Sequence, residues 1–209
     1  LHLSIRRQRQ MCIRDRGEGT IIERLKQLHI VPLAISYEYD PCDYLKAREY
    51  QLRRDLPYWK KTAEDDLESM LVGIKGYKGH IFYKCAPCID EWLDTVDEEL
   101  PKNKLFDTIA AHIDHQIHSN YKLYPINYVA LDMIQDTRVY EEYYTVEDYQ
   151  NFNTYLDGQI EKIDIENRDD RFLRTCLLTQ YAYPAKNYIA ASSESGRFKS
   201  LLNRLTFKK

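Results

Sequence analysis

The chain has 209 residues, with 30 Lys and Arg against 33 Asp and Glu, a formal net charge of −3. Apolar residues make up 44% and charged residues 30%, which excludes a chain that is disordered throughout and fits one domain with a real core, alone or with a helical extension. No window approaches the roughly 18 apolar residues of a membrane span, and seven Gly and seven Pro exclude a collagen-like or linker-like chain.

In chain order, residues 1–16 stand apart. They carry five arginines against Asp15, a net charge of +4, while the other 193 residues hold 25 basic and 32 acidic side chains, a net charge of −7. A basic arm for nucleic acid or anionic lipid is one reading. The string Arg9-Gln-Met-Cys-Ile-Arg-Asp-Arg16 resembles translated sequencing-adapter sequence, so the segment is taken as an artefact. The chain also starts at Leu1, and the expectation is a natural protein that continues upstream.

Ile21–Leu28 has helical apolar spacing, and Ile30–Tyr37 reads as a buried strand in which Pro32 demands a bulge or an edge. Asp40-Pro-Cys-Asp43 is turn chemistry, with either Asp able to cap a helix over Tyr44–Arg54. A second helix is predicted over Lys61–Ile74, where Leu67, Met70, Leu71 and Ile74 share a face. Gly73, Gly76 and Gly79 form a loop before a strand over His80–Cys85. Ile89–Leu100 is predicted helical. Lys104–Tyr121 is the most periodic segment, with Leu105, Ile109, Ile113, Ile117 and Tyr121 recurring every fourth residue. After Pro125 the sequence is Tyr-rich and helical. Thr145 caps a helix with Asp148 three positions on, and a last helix spans Arg171–Ala182. The expected fold class is α/β: the C-terminal part of a mixed sheet flanked by helices, followed by an all-helical extension. The domain division is 1–16, 17–125 and 126–209. Two strands are too few for an independent sheet, so partner strands are expected upstream, and the fragment exposes apolar strand edges.

Several motifs invite chemistry. His112, His115 and His118 are spaced i, i+3, i+6, whereas metal on one helix favours i, i+4; His115 and His118 fall on the polar side, so no metal site is assigned. Cys85-Ala-Pro-Cys88 has the spacing of a zinc ribbon or a thioredoxin-like redox pair, but Cys42 and Cys176 do not make a second pair, and strand-end packing is the reading. The odd total of five cysteines argues for reduced thiols in a cytoplasmic protein. Gly73, Gly76 and Gly79 match neither a dinucleotide fingerprint nor a P-loop. Lys46, Arg48, Arg53, Arg54, Lys60 and Lys61, with Tyr50, Tyr58 and Trp59, could meet phosphates or a membrane surface; a solvated helix face is the simpler reading. The acidic remainder argues against nucleic acid as a partner.

The string Ile30-Val-Pro-Leu-Ala-Ile-Ser-Tyr-Glu-Tyr-Asp-Pro-Cys-Asp-Tyr-Leu-Lys-Ala47 resembles a bacterial subgroup of the glycerol-3-phosphate/1-acylglycerol-3-phosphate acyltransferase family. The resemblance continues at Gly73–His80, His112–Asp114, Ile117–Ala130 and Tyr155–Asp164, and so covers roughly residues 17–190. It implies a mixed sheet flanked by helices and a reaction of phospholipid biosynthesis. In that reaction a fatty acyl group passes from acyl-CoA or acyl-carrier protein to glycerol-3-phosphate or a lysophospholipid, with no cofactor besides the donor. It also implies a cytoplasmic protein, peripheral at the inner membrane. Family members use a His in a His-x4-Asp pair as general base. None of the six histidines here has Asp five residues on: the positions are Arg7, Ala34, Cys85, Ile117, Asn120 and Leu123. No catalytic residue is therefore assigned, and the fragment alone is expected to be inactive. Glu18-Gly19-Thr20 looks like the family's phosphate motif but is followed by Ile21, and is read as a loop leading into a helix. What carries over is the Val-Pro strand that lines the site: Val31, Pro32, Leu33 and Ala34 are the implied substrate-binding residues. The alternative is a non-catalytic helical interaction or membrane-docking module. A third reading makes Cys85 and Cys88 a thiol enzyme's pair.

Overall fold

A computed structural model describes the backbone of residues 19–206 and the side chains of residues 19–193. The arginine-rich segment 1–16 lies outside the described residues. The fold is mostly helical, with a single two-stranded antiparallel sheet among the described residues. In chain order come α1 (Ile21–Lys26), β1 (Leu33–Tyr37), α2 (Asp43–Asp55), α3 (Ala63–Lys75), β2 (Ile81–Cys85), α4 (Asp90–Leu93), α5 (Lys102–Ser119), α6 (Pro125–Gln135), a 3-10 turn (Glu141–Tyr143), α7 (Val146–Glu161) and α8 (Asp170–Thr206). Both strands precede residue 125, and no strand is described after it.

The chain folds as two compact units that interleave in sequence. Of the described residues, one comprises 19–34 together with 83–120, the other 35–82 together with 121–206. The division passes through both strands, whereas the change of composition falls at residue 125.

The first unit is built on short-range signals. Thr20 Oγ1 accepts from Glu23 N, and Glu23 Oε2 accepts from Thr20 N, a reciprocal cap that starts α1. Ile22 and Leu25 then face Leu105, Ile109 and Ile113 of α5, with Ile89 and Leu93 completing the core. The predicted helix over residues 89–100 shrinks to the single turn of α4. Its continuation is a series of turns before Pro101, the residue at the N-cap of α5.

The second unit is larger. Phe152 and Leu156 of α7, Leu173 and Leu177 of α8 and Val129 and Ala130 of α6 share one fully buried cluster. Phe152 meets Tyr181 edge-on at 5.3 Å and Tyr155 at 6.2 Å between ring centroids. Thr145 caps α7 with Asp148, as the spacing predicts. α8 does not stop at Ala182: it runs on through Pro184. Proline removes one helical hydrogen bond, but Ala182 and Ala185 on either side are buried in the same cluster, and that packing carries the helix past the break. α2 begins at Asp43 with Cys42 at its N-cap, and neither Asp is the cap; Asp40 instead accepts from Cys42 N through its side chain.

Strand β1 corrects its prediction twice. It begins at Leu33 rather than Ile30, and it is not buried: Ala34 and Ser36 face inward while Leu33, Ile35 and Tyr37 are exposed. All five residues of β2 are exposed. Residue 38 pairs with 80 and residue 32 with 86, so the register is the same at both ends. It then slips by one, because Ile89 N donates to Ile30 O. The extra residue lies between these two pairs, where Pro87 and Cys88 oppose Val31, next to Pro32.

Truncating Phe152, which is fully buried, is expected to destabilise the second unit by about 3–5 kcal/mol. Thr145→Ala is expected to cost about 1 kcal/mol. Urea unfolding followed by far-UV circular dichroism measures both.

Candidate functional site

The four implied substrate-binding residues sit on and just before β1. Pro32 and Ala34 are buried, while Val31 is 48% and Leu33 42% exposed. The exposed side of this segment is therefore apolar and carries its large side chains outward, the reverse of a strand that closes over its own core.

Helix α3 repeats the pattern. Its reciprocal Thr62–Asp65 cap gives it a firm start, yet none of its residues is buried. Leu67, Met70, Leu71 and Ile74, the face predicted to be shared, all point to solvent, with Ile74 74% exposed. The helix is attached by other means. Arg48 pairs with Asp65 at 2.8 Å, the Cys42 thiol donates to Ser69 O, and Gly76 fits against Pro41 where a Cβ would lie 2.4 Å from the proline ring.

Most cations of the basic stretch 46–61 are paired with acidic side chains. Lys46 pairs with Asp40, Arg48 also with Glu68, Arg53 with Glu49, Arg54 with Asp55 and Asp169, and Lys61 with Asp66. Arg53 also lies over the Trp59 ring and Arg54 over Phe172. This is the solvated helix face with aromatic packing that the sequence offers as the simpler reading.

The most polar part of the second unit's interior is a carboxylate. Asp43 is fully buried. Its Oδ2 accepts from Tyr155 OH and Tyr181 OH, both at 2.6 Å, and its Oδ1 accepts from Gln159 Nε2 at 2.7 Å. Tyr181 OH in turn accepts from Asp40 N. Burial pushes the Asp43 carboxyl above the ordinary Asp value, and the three side-chain donors pull it part of the way back. Burial beside that carboxylate pushes both tyrosines upward, so they remain donors. Asp132 on α6 is a second such hub. It accepts from Thr137 Oγ1, Val139 N, Tyr140 N and Tyr144 OH, and burial with the Asp132 bond pushes Tyr144 up to about 12. Both are closed networks in which each carboxylate's acceptors are used internally.

The sequence-nominated histidines do not converge on an ion. His112 stacks flat on Trp92, 3.7 Å between centroids and 5° between planes, and burial first and His115 second push its pKa down. Cys85 is exposed at the end of β2. Its neighbour Cys88 belongs to another group: His29, Cys88 and Asp90 bring an imidazole nitrogen, a sulfur and a carboxylate oxygen within 4.8 Å of one another. His29 Nδ1 lies 2.6 Å from Asp90 Oδ2. The His29 hydrogen bond, with help from the Cys88 thiol and Lys26, holds the Asp90 carboxyl below its ordinary value. Asp90 Oδ1 is buried and accepts no hydrogen bond. Periodicity could not find this trio, because His29 and Asp90 are 61 residues apart in sequence. The one available signal was Cys88-Ile-Asp90 following a strand and Pro87.

No family model, curated protein or solved structure matches the chain.

The raised Asp43 carboxyl sets a pH dependence. The folded state binds its proton more tightly than the unfolded state, so stability is greatest below the ordinary Asp value and falls as pH rises from there through the raised folded value. Asp43→Asn is expected to flatten that slope, read from urea midpoints across the acidic range.

Proposed function

We propose that this chain is part of an acyltransferase of phospholipid biosynthesis, contributing the end of the catalytic sheet and the helices that follow it. The observation that carries this reading is the Val31–Ala34 segment. The sequence string that most resembles the glycerophosphate acyltransferases enters a strand whose large apolar residues face outward. Such a strand suits a fatty acyl chain or further strands beside it, since an exposed apolar sheet face is unfavourable by itself. The two-stranded sheet supports the same reading, because so small a sheet gains stability from additional strands.

In the reaction, a base takes the proton of a glycerol hydroxyl as its oxygen attacks the thioester carbonyl, and the thiol leaves. The chain has no His-x4-Asp pair to supply that base. Its part is to line the acyl side of the site with Val31, Leu33 and neighbouring residues, while the base comes from residues outside these 209. A general base contributes about 100- to 10,000-fold to such a step.

A second reading, a non-catalytic module that docks a partner through α3, is favoured by that helix's exposed stripe of Leu67, Met70, Leu71 and Ile74.

Photo-crosslinking with palmitoyl-CoA carrying a diazirine on its acyl chain tests the first reading. Label on the peptide containing Val31–Tyr37, competed away by unlabelled palmitoyl-CoA and reduced in Leu33→Glu, is the expected result. Label confined to α3, or none, overturns it. The isolated chain is also expected to show no acyl transfer from palmitoyl-CoA to lysophosphatidic acid; turnover would show that the base lies within it.

A further inference from the structure

We propose that His29, Cys88 and Asp90 form a binding site for a zinc-class transition-metal ion, with a fourth position open to solvent. The proposal is independent of the acyltransferase reading and rests on four observations in the first unit.

The first is ligand chemistry. An imidazole nitrogen, a thiolate sulfur and one carboxylate oxygen form a mixed set that suits Zn2+, whereas hard ions such as Mg2+ and Ca2+ take oxygen ligands. The second is distance. Zinc–ligand bonds of about 2.0–2.3 Å place tetrahedral ligand atoms about 3.3–3.8 Å apart. The three atoms here already lie within 4.8 Å of one another, and the close pair, His29 Nδ1 and Asp90 Oδ2 at 2.6 Å, separates by a fraction of a bond length to admit the ion.

The third is the unmet demand of Asp90. Its Oδ1 is buried without a hydrogen-bond donor, a costly state for a carboxylate oxygen. An ion on this carboxylate supplies the missing positive partner.

The fourth is backbone placement. Leu28 N and His29 N donate to Leu25 O and Lys26 O in the turn that ends α1, and His29 sits there at φ 47, the left-handed region where glycine is the least costly residue. A histidine at this position aims its ring at Asp90 at some conformational cost, as functional positions often do. On the other side, the bulge between Pro32 and Ile30 opposite Ala86 and Ile89 fixes the loop that carries Cys88 and Asp90. Backbone pairing therefore holds both ligand-bearing segments in place before any ion arrives, which lowers the ordering cost of binding.

On binding, the Cys88 thiol gives its proton to solvent and coordinates as thiolate. The proton between His29 Nδ1 and Asp90 Oδ2 is released to solvent while Nε2 carries the neutral ring's proton, so that Nδ1 and Oδ2 both face the ion. His29 is largely exposed, with a side-chain accessibility of 77%, which leaves the fourth position to water or a small anionic ligand.

Titrating the reduced 209-residue chain with Co2+ tests the site. The expected result is a saturable visible d–d spectrum with a thiolate-to-cobalt charge-transfer band, displaced by Zn2+. Cys88→Ser is expected to abolish the charge-transfer band, and His29→Gln and Asp90→Asn to weaken Zn2+ binding at least about tenfold. Cys85→Ser is expected to leave the spectrum unchanged. Because a variant could lose binding by misfolding, alkylation of the wild type provides a second readout: Zn2+ is expected to protect Cys88 from iodoacetamide and to leave Cys85 reactive. Absence of the band at stoichiometric Co2+, its persistence in Cys88→Ser, its loss in Cys85→Ser, or alkylation of Cys88 unaffected by Zn2+ would each overturn the assignment.

Discussion

In the second unit, the buried carboxylate of Asp43 ties three helices together. Asp43 opens α2, and its two oxygens are held by Tyr155 and Gln159 from α7 and Tyr181 from α8. A buried charge without partners is among the most costly features a core can contain, and satisfying it fixes the relative position of every element that supplies a donor. The network is directional where the surrounding apolar cluster is not. Phe152, Leu156, Leu173 and Leu177 set how much surface leaves water, whereas Asp43 decides which face of each helix turns inward. Tyr155 and Tyr181 belong to both, with rings in the aromatic cluster and hydroxyls on the carboxylate.

Among the described residues, the first unit has no comparable polar centre. It depends on a stripe of Leu105, Ile109 and Ile113 along α5, two residues from α1, and Ile89 and Leu93 at α4. So small a core gains relatively little from burial alone. The backbone bonds of Ala86 to Pro32 and Ile89 to Ile30 therefore carry weight there, and a bound ion at His29, Cys88 and Asp90 would add a crosslink where the apolar core is thinnest.

Local signals were legible in the sequence. The Thr145–Asp148 cap and the four-residue period of Leu105, Ile109 and Ile113 each rest on chemistry within a few residues, and each stands in the structure, while the bulge or edge expected at Pro32 is met by a register slip beside it. Burial was harder to read. The run from Ile30 to Tyr37 looks buried because it is apolar, yet pattern alone cannot say what covers a strand, and its large residues face outward. α8 runs well past the predicted end at Ala182, because Ala182 and Ala185 are buried on either side of Pro184, packing that local sequence does not reveal. The functional groups were least legible. Val31–Ala34 came from resemblance, and Asp43 was visible only as turn chemistry. His29 and Asp90 gain meaning only when strand pairing brings distant loops together, while the closely spaced His112, His115 and His118 drew attention by proximity in sequence and lie along one helix.

Helix α3 has no buried side chain and is tied to its unit by an arginine–carboxylate pair, a thiol hydrogen bond and the notch at Gly76. Its opening therefore exposes little new apolar surface and is uncoupled from melting of the Phe152 core. Amide exchange in α3 is expected to run through local detachment, with protection below that of α7 and α8.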